Sequence, residues 1–197
     1  MKKMKTMKTR FLALGVCLAV FFCSLTPVQV ADAAAKKINV TVRYKGKNVT
    51  FETFPNTNKY SNDTKITLKA KTYAAVKKAW GKADKVEKRT YENEYGKQVR
   101  QNIYTWKSGK TEISMTTDKK GKRNGDIFID IQNKKASFLG IKVGMSKKPA
   151  LQKLRKLFGK KMVSTEKDKI RVTMGGYPPM IIELKSGKVK SIFFWHS

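Results

Sequence analysis

The sequence predicts an α+β fold: an N-terminal β-hairpin followed by two tandem units, each a short helix packed on an antiparallel four-stranded meander. Three observations predict it. Apolar and polar residues alternate with period two in many short runs, the pattern of strands with one covered face. Two other runs carry apolar residues at helical spacing, and each is followed by glycine. The alternating runs are separated by short turns rich in Gly, Asn and Lys, which favour antiparallel neighbours over crossover connections.

Residues 1–35 read as an export signal. Lys2, Lys3, Lys5, Lys8 and Arg10 precede an apolar and small-residue run over 11–25, which Thr26 and Pro27 break. Ala31-Asp32-Ala33 and Ala33-Ala34-Ala35 both present the small-x-small pattern of a cleavage site. The run is shorter than the ~20 residues that span a bilayer with margin, so no stable membrane span is expected after cleavage. Val16 and Phe22 stand before Cys17 and Cys23 where a lipidation motif needs a small residue, so both cysteines are expected to leave with the signal.

The chain has 44 basic and 14 acidic residues; the signal carries five of the former and one of the latter, leaving 39 and 13. The remaining chain has no cysteine, and its single histidine, His196, reads as a solvated residue near the end of the sequence. This inventory argues against a thiol nucleophile, a Cys/His zinc site, a disulfide and a Ser-His-Asp triad. Carboxylate chemistry needs only two acids. The close pairs, Glu92 with Glu94 and Asp126 with Asp130, stand in a lysine field that lowers carboxyl pKa values, the wrong direction for a general acid. No phosphate loop, HExxH or EF-hand spacing occurs. The chain therefore reads as non-catalytic, with no cofactor and no metal.

Residues 36–65 read as the hairpin and a following loop. Ile38, Val40, Val42 and Tyr44 alternate with polar residues, as do Val49 and Phe51, and Lys45-Gly46-Lys47 lies between them as a turn. Residues 66–135 form the first unit: a helix with Tyr73, Val76 and Trp80 on one face and Gly81 as its stop, then strands near 86–92, 98–106, 111–117 and 126–132. Residues 136–197 form the second. There Leu151, Leu154, Phe158 and Gly159 repeat the first helix at a constant offset of 78, and Lys107-Ser108-Gly109-Lys110 recurs at the same offset as Lys185-Ser186-Gly187-Lys188. Strands follow near 162–166, 170–174, 180–184 and 189–195. Ser146 reads as an N-cap, with Pro149 in the first turn where its missing N–H costs little. One KSGK joins the second and third strands of its unit, the other the third and fourth, so the repeat does not align throughout.

Ile141-Lys142-Val143-Gly144-Met145-Ser146, a short amphipathic helix, Leu157-Phe158-Gly159-Lys160 and a meander form a pattern that resembles the BamE (SmpA/OmlA)-like small lipoproteins and the β-lactamase-inhibitor-protein superfamily. The resemblance covers about 139–195 well, and 66–132 through its helix, its WGK and its strands. It implies helices packed on antiparallel sheet, and a tandem of two such units that binds a protein. Lys161 stands where a proline is common in the pattern, and neither the inhibitor's disulfide cysteines nor the lipidated cysteine is present. No binding residue carries over from either family.

Beyond the signal there are 33 lysines against six arginines. Sequence-specific reading of nucleic acid favours arginine's planar fork, so no specific nucleic-acid partner is expected. The residues expected to meet a partner are Tyr104 and Trp106, on one face of a predicted strand, and Tyr177, on a rigid loop tip before Pro178-Pro179. The chain thus reads as a bacterial secreted or cell-surface binding protein acting on an extracellular or cell-envelope protein. The alternative is electrostatic association with anionic wall polymer or nucleic acid. The secreted form is expected to begin between Ala34 and Lys36; mass spectrometry returning an intact Met1 or a lipidated cysteine would refute this.

Overall fold

In β1 (Lys37–Tyr44), Ile38, Val40, Val42 and Tyr44 are buried while the residues between them face out, so period-two alternation alone orients the strand. Lys45 and Gly46 both have positive φ, and this turn joins β1 to β2 (Lys47–Pro55) in an antiparallel hairpin. This is a computed structural model, and it describes residues 37–55, 66–174 and 177–196. The expected export segment and 56–65 loop, with residues 175–176 and 197, lie outside the described residues.

Two antiparallel sheets result. The hairpin lies in a five-stranded sheet of order β3-β2-β1-β8-β9, completed by β3 (Thr67–Leu68), β8 (Ala136–Phe138) and β9 (Ile141–Lys142). The larger sheet takes β4 (Lys85–Glu92), β5 (Gln98–Ser108), β6 (Thr111–Asp118) and β7 (Arg123–Ile131), then β10 (Val163–Thr165), β11 (Lys169–Met174), β12 (Tyr177–Lys185) and β13 (Lys188–His196). Its order is β10-β11-β12-β13-β7-β6-β5-β4. Helix α1 (Tyr73–Trp80) precedes β4; α2 (Lys147–Phe158) and a 3-10 turn (Lys160–Met162) precede β10.

This corrects the expected α+β class of two tandem helix-plus-meander units. The described residues are 59% strand and 16% helix, and each meander is half of one eight-stranded sheet. The join is the ladder between β13 and β7, with Ile192 opposite Ile131 and His196 opposite Ile127. The two KSGK turns are not equivalent: Gly109-Lys110 lies between β5 and β6, Ser186-Gly187 between β12 and β13. Residues 177–179, expected as a loop tip, begin β12, where Tyr177 pairs with Met174. The three strands that the alternation missed, β3, β8 and β9, are two or three residues long, too short to show a period.

Capping also differs from expectation. Ser146 occupies the N-cap of α2, but its side chain makes no capping bond; the backbone there bridges to Lys188, and the Lys147 N–H donates to the Gly187 carbonyl at 2.8 Å. The hydroxyl that does cap is Thr72 Oγ1, which accepts from the Ala75 N–H at 3.2 Å. The start of α1 is also tied to the β6–β7 turn: the Tyr73 N–H donates to the Gly121 carbonyl, and the Arg123 N–H to the Lys71 carbonyl.

Trp80 holds the sheets together. Its ring meets Tyr44 and Phe51 of the small sheet at 5.4 and 5.7 Å and Trp106 of the large one at 5.5 Å, all edge to face. Its indole N–H donates to the Lys47 carbonyl, the Trp106 N–H to the Gly81 carbonyl, and the Tyr44 hydroxyl to the Lys107 carbonyl at 2.6 Å. Each polar tip is satisfied by backbone on a different element, so the cluster is fixed in angle as well as in depth. Under α2, Leu154 and Phe158 are buried, and Phe138 of the small sheet meets Phe194 of the large one at 5.0 Å. Trp80→Ala is expected to destabilise the protein by about 3–5 kcal/mol, as is Phe158→Ala. Denaturant unfolding measures this, and melting indistinguishable from wild type would show that neither ring carries the core.

Candidate functional site

One face of the large sheet is covered by the helices and the small sheet; the other is open. Along β13 the residues Ile192, Phe194 and His196 are buried, whereas Phe193 and Trp195 are 37% and 39% exposed. Register places Phe193 between Ile181 of β12 and Asp130 of β7, and Trp195 beside Phe128. Phe128 and Phe193 meet edge to face at 5.5 Å. Ser114 lies opposite Phe128, and Glu112 opposite Asp130. The middle of the open face is thus an aromatic strip bordered by carboxylates and a hydroxyl.

This face holds several of the chain's few acids. Glu112 pairs with Lys107 at 3.0 Å, and Glu183 with Lys190 at 3.1 Å while also accepting from Ser191. The Lys190 and Ser191 bonds hold the Glu183 carboxyl below the usual range. Glu87 on β4 is lowered in the same way by Arg89 and Lys85. Asp126 and Asp130, which flank Phe128, have no ion pair among the described residues; Asp130 accepts from the Gln132 amide at 2.7 Å.

Two of the expected site residues lie elsewhere. Tyr104 and Trp106 share a strand face, but it is the covered face of β5. Tyr104 is half-buried and stacks flat on Tyr73, with ring centres 3.7 Å apart, and Trp106 is fully buried. Tyr73 brings the two together, its ring 6.0 Å from that of Trp106, as part of the core under α1. The side chain of Tyr177 lies outside the described residues. The aromatics that do reach solvent on the open face were signalled by Ile192-Phe193-Phe194-Trp195: an antiparallel strand with one covered face should alternate, and this one does not.

His196 overturns its expected solvated position. It is 6% exposed, and its Nδ1 lies 2.7 Å from Glu52 Oε1. Glu52 Oε2 accepts from Arg123 Nη2 at 2.9 Å, and Arg123 Nη1 donates to the Phe51 carbonyl. A carboxylate from β2, a guanidinium from β7 and an imidazole from β13 therefore meet in the interior between the two sheets. Burial raises the Glu52 carboxyl pKa, but bonds and charge from His196 and Arg123 outweigh it and hold the group below its ordinary 4.5. The arrangement is sealed from solvent and serves the fold. Among the described residues no group of three His, Cys, Asp or Glu side chains could hold a metal, and no helix is long and apolar enough to cross a membrane.

Comparison with family models, with curated proteins and with solved structures finds no match for this chain.

Because the folded Glu52 pKa is depressed, its contribution to stability is complete above 4.5 and is lost as pH falls through the lower folded value. Melting temperature should therefore drop on acidification below about pH 4.5. Glu52→Gln should cost about 3–5 kcal/mol at neutral pH, since Arg123 is left buried without its counter-charge, and should flatten the acid limb. Thermal melts across pH 3–7, tracked by circular dichroism, measure both effects.

Proposed function

We propose that the protein is a secreted, non-catalytic binding protein that holds a protein partner outside the cell on the open face of its eight-stranded sheet. The observation that carries this reading is Phe193 and Trp195, more than a third exposed in the middle of regular sheet, with Phe128 and Ile181 beside them. Exposed aromatics grouped in this way mark interaction surfaces, and buried tryptophan and tyrosine supply a large share of interface energy. Asp126 and Asp130 at the rim favour a partner that brings cations to that border. The resemblance of residues 139–195 to inhibitor-type repeats supports a protein as the partner.

Trp195→Ala and Phe193→Ala should leave the melting temperature nearly unchanged. Each should weaken capture of a stoichiometric, salt-resistant partner from culture supernatant by 2 kcal/mol or more, about thirtyfold in Kd. Equal capture by wild type and both variants would refute the reading.

A second reading, electrostatic association with anionic wall polymer, is favoured by a separate observation. The cations of the open face are largely paired with neighbouring carboxylates, whereas a group at one end of the sheet is not.

A further inference from the structure

That group lies in a cleft of about 540 Å³ between the β4–β5 and β6–β7 turns. Lys97 and Arg100 line one wall and Lys119 and Lys120 the other; all four are exposed, and none has an ion pair among the described residues. Both turns are held rigid by a side chain at their start. Asn93 Oδ1 accepts from the N–H groups of Tyr95 and Lys97, at 3.1 and 2.9 Å. Asp118 Oδ1 accepts from those of Lys120 and Lys122, at 2.8 and 2.9 Å. Among the described residues Asp118 is the one acid lining the cleft, its Oδ1 taking both of those amide bonds, so four cations face one carboxylate. The cleft therefore keeps an excess of positive charge on a fixed frame, which would otherwise cost ordering on binding.

We infer that this cleft is a binding site for a phosphodiester-linked polyol chain, the chemistry of a wall polymer. The inference rests on the electrostatic reading above and assigns it a place. Three features select the ligand. First, a single small anion would be satisfied by one wall, whereas the exposed cations continue past the cleft: Lys122 of the same turn lines a second depression together with Lys71. Exposed cations in two depressions lined by the same turn suit a chain with one negative charge per unit. Second, Asn93 and Asn124 line the cleft, and their amide N–H groups suit hydroxyl and ester oxygens between phosphates, while the Gln98 amide donates to Glu92. Third, no aromatic side chain among the described residues lines it, so nothing there is offered for stacking bases; nucleic acid would gain charge contacts alone.

The test uses the full secreted chain and a synthetic poly(glycerol phosphate) as probe, with a single-stranded oligodeoxynucleotide and polyglutamate of matched charge as competitors. One variant carries Lys97→Gln, Arg100→Gln, Lys119→Gln and Lys120→Gln. A second, of equal net charge, carries Lys148→Gln, Lys156→Gln, Lys167→Gln and Lys185→Gln, all exposed positions elsewhere. Thermal melts confirm that both are folded. The cleft variant should bind the probe about tenfold or more weakly, and its log–log salt slope should fall by roughly 0.7 for each phosphate left without its cation. The control should stay within about threefold, and both competitors, which lack the polyol hydroxyls that the amides meet, should bind the wild type more weakly than the probe. Equal weakening in the two variants would leave a diffuse cationic surface and overturn the cleft. Binding of the oligodeoxynucleotide or polyglutamate as tightly as the probe would overturn the assigned ligand. No binding of the probe by wild type would remove the electrostatic reading itself.

Discussion

The ladder between β13 and β7 determines the rest of the architecture. Without it there would be two four-stranded sheets, each needing its own cover; with it there is one broad surface. A helix of eight residues and another of twelve cannot cover eight strands, so a second layer is required. The five-stranded sheet supplies it, and Trp80 sits where that sheet, α1 and the large sheet converge. The supply of covering elements ends at one face. The other face is left to solvent, and its central strand is still apolar on that side.

Between the layers, apolar packing and charge do different work. The Trp80 cluster fills volume and is tolerant of sliding except where its N–H and O–H groups meet backbone carbonyls. The contact of Glu52 with Arg123 and His196 is not tolerant at all, because a small displacement would leave charge in a dry interior. It joins β2, β7 and β13, and so fixes the angle at which the hairpin sheet lies over the ladder. Replacing such a bridge by apolar residues of equal volume is often neutral or stabilising, whereas removing one partner alone strands a buried charge.

Strand identity was legible wherever one face was buried. The alternation in Ile38, Val40, Val42 and Tyr44 oriented β1 without help, and Gly81 and Gly159 marked where the helices stop. What alternation cannot convey is which edge meets which. Nothing in residues 188–196 announces a partner at 127–131, so the chain read as two units although the structure has one large sheet. Local reading failed for His196 because its position near the end suggested solvent, while burial was decided by Glu52, 144 positions earlier. Tyr104 and Trp106 were placed correctly on a shared face, but which side of the sheet is covered depends on the helices and the second layer, which alternation does not show. The run from Ile192 to Trp195 carried the missing signal.

The order of the strands has a consequence for how the chain reaches this state. Ile131 of β7 waits for Ile192, sixty-one residues downstream, before its second ladder can form. Until then the apolar residues Ile127, Phe128, Ile129 and Ile131 lie on an unprotected edge, which can recruit the same segment of another molecule. A chain complete only through β7 would have a half-sheet, with the hairpin lacking its full support and Glu52 facing Arg123 alone. Completion is a late, long-range event rather than a growing series of local ones, so closure should be slow for a domain of this size. Dense positive charge is the chain's own protection in that interval, because molecules that repel one another seldom meet edge to edge.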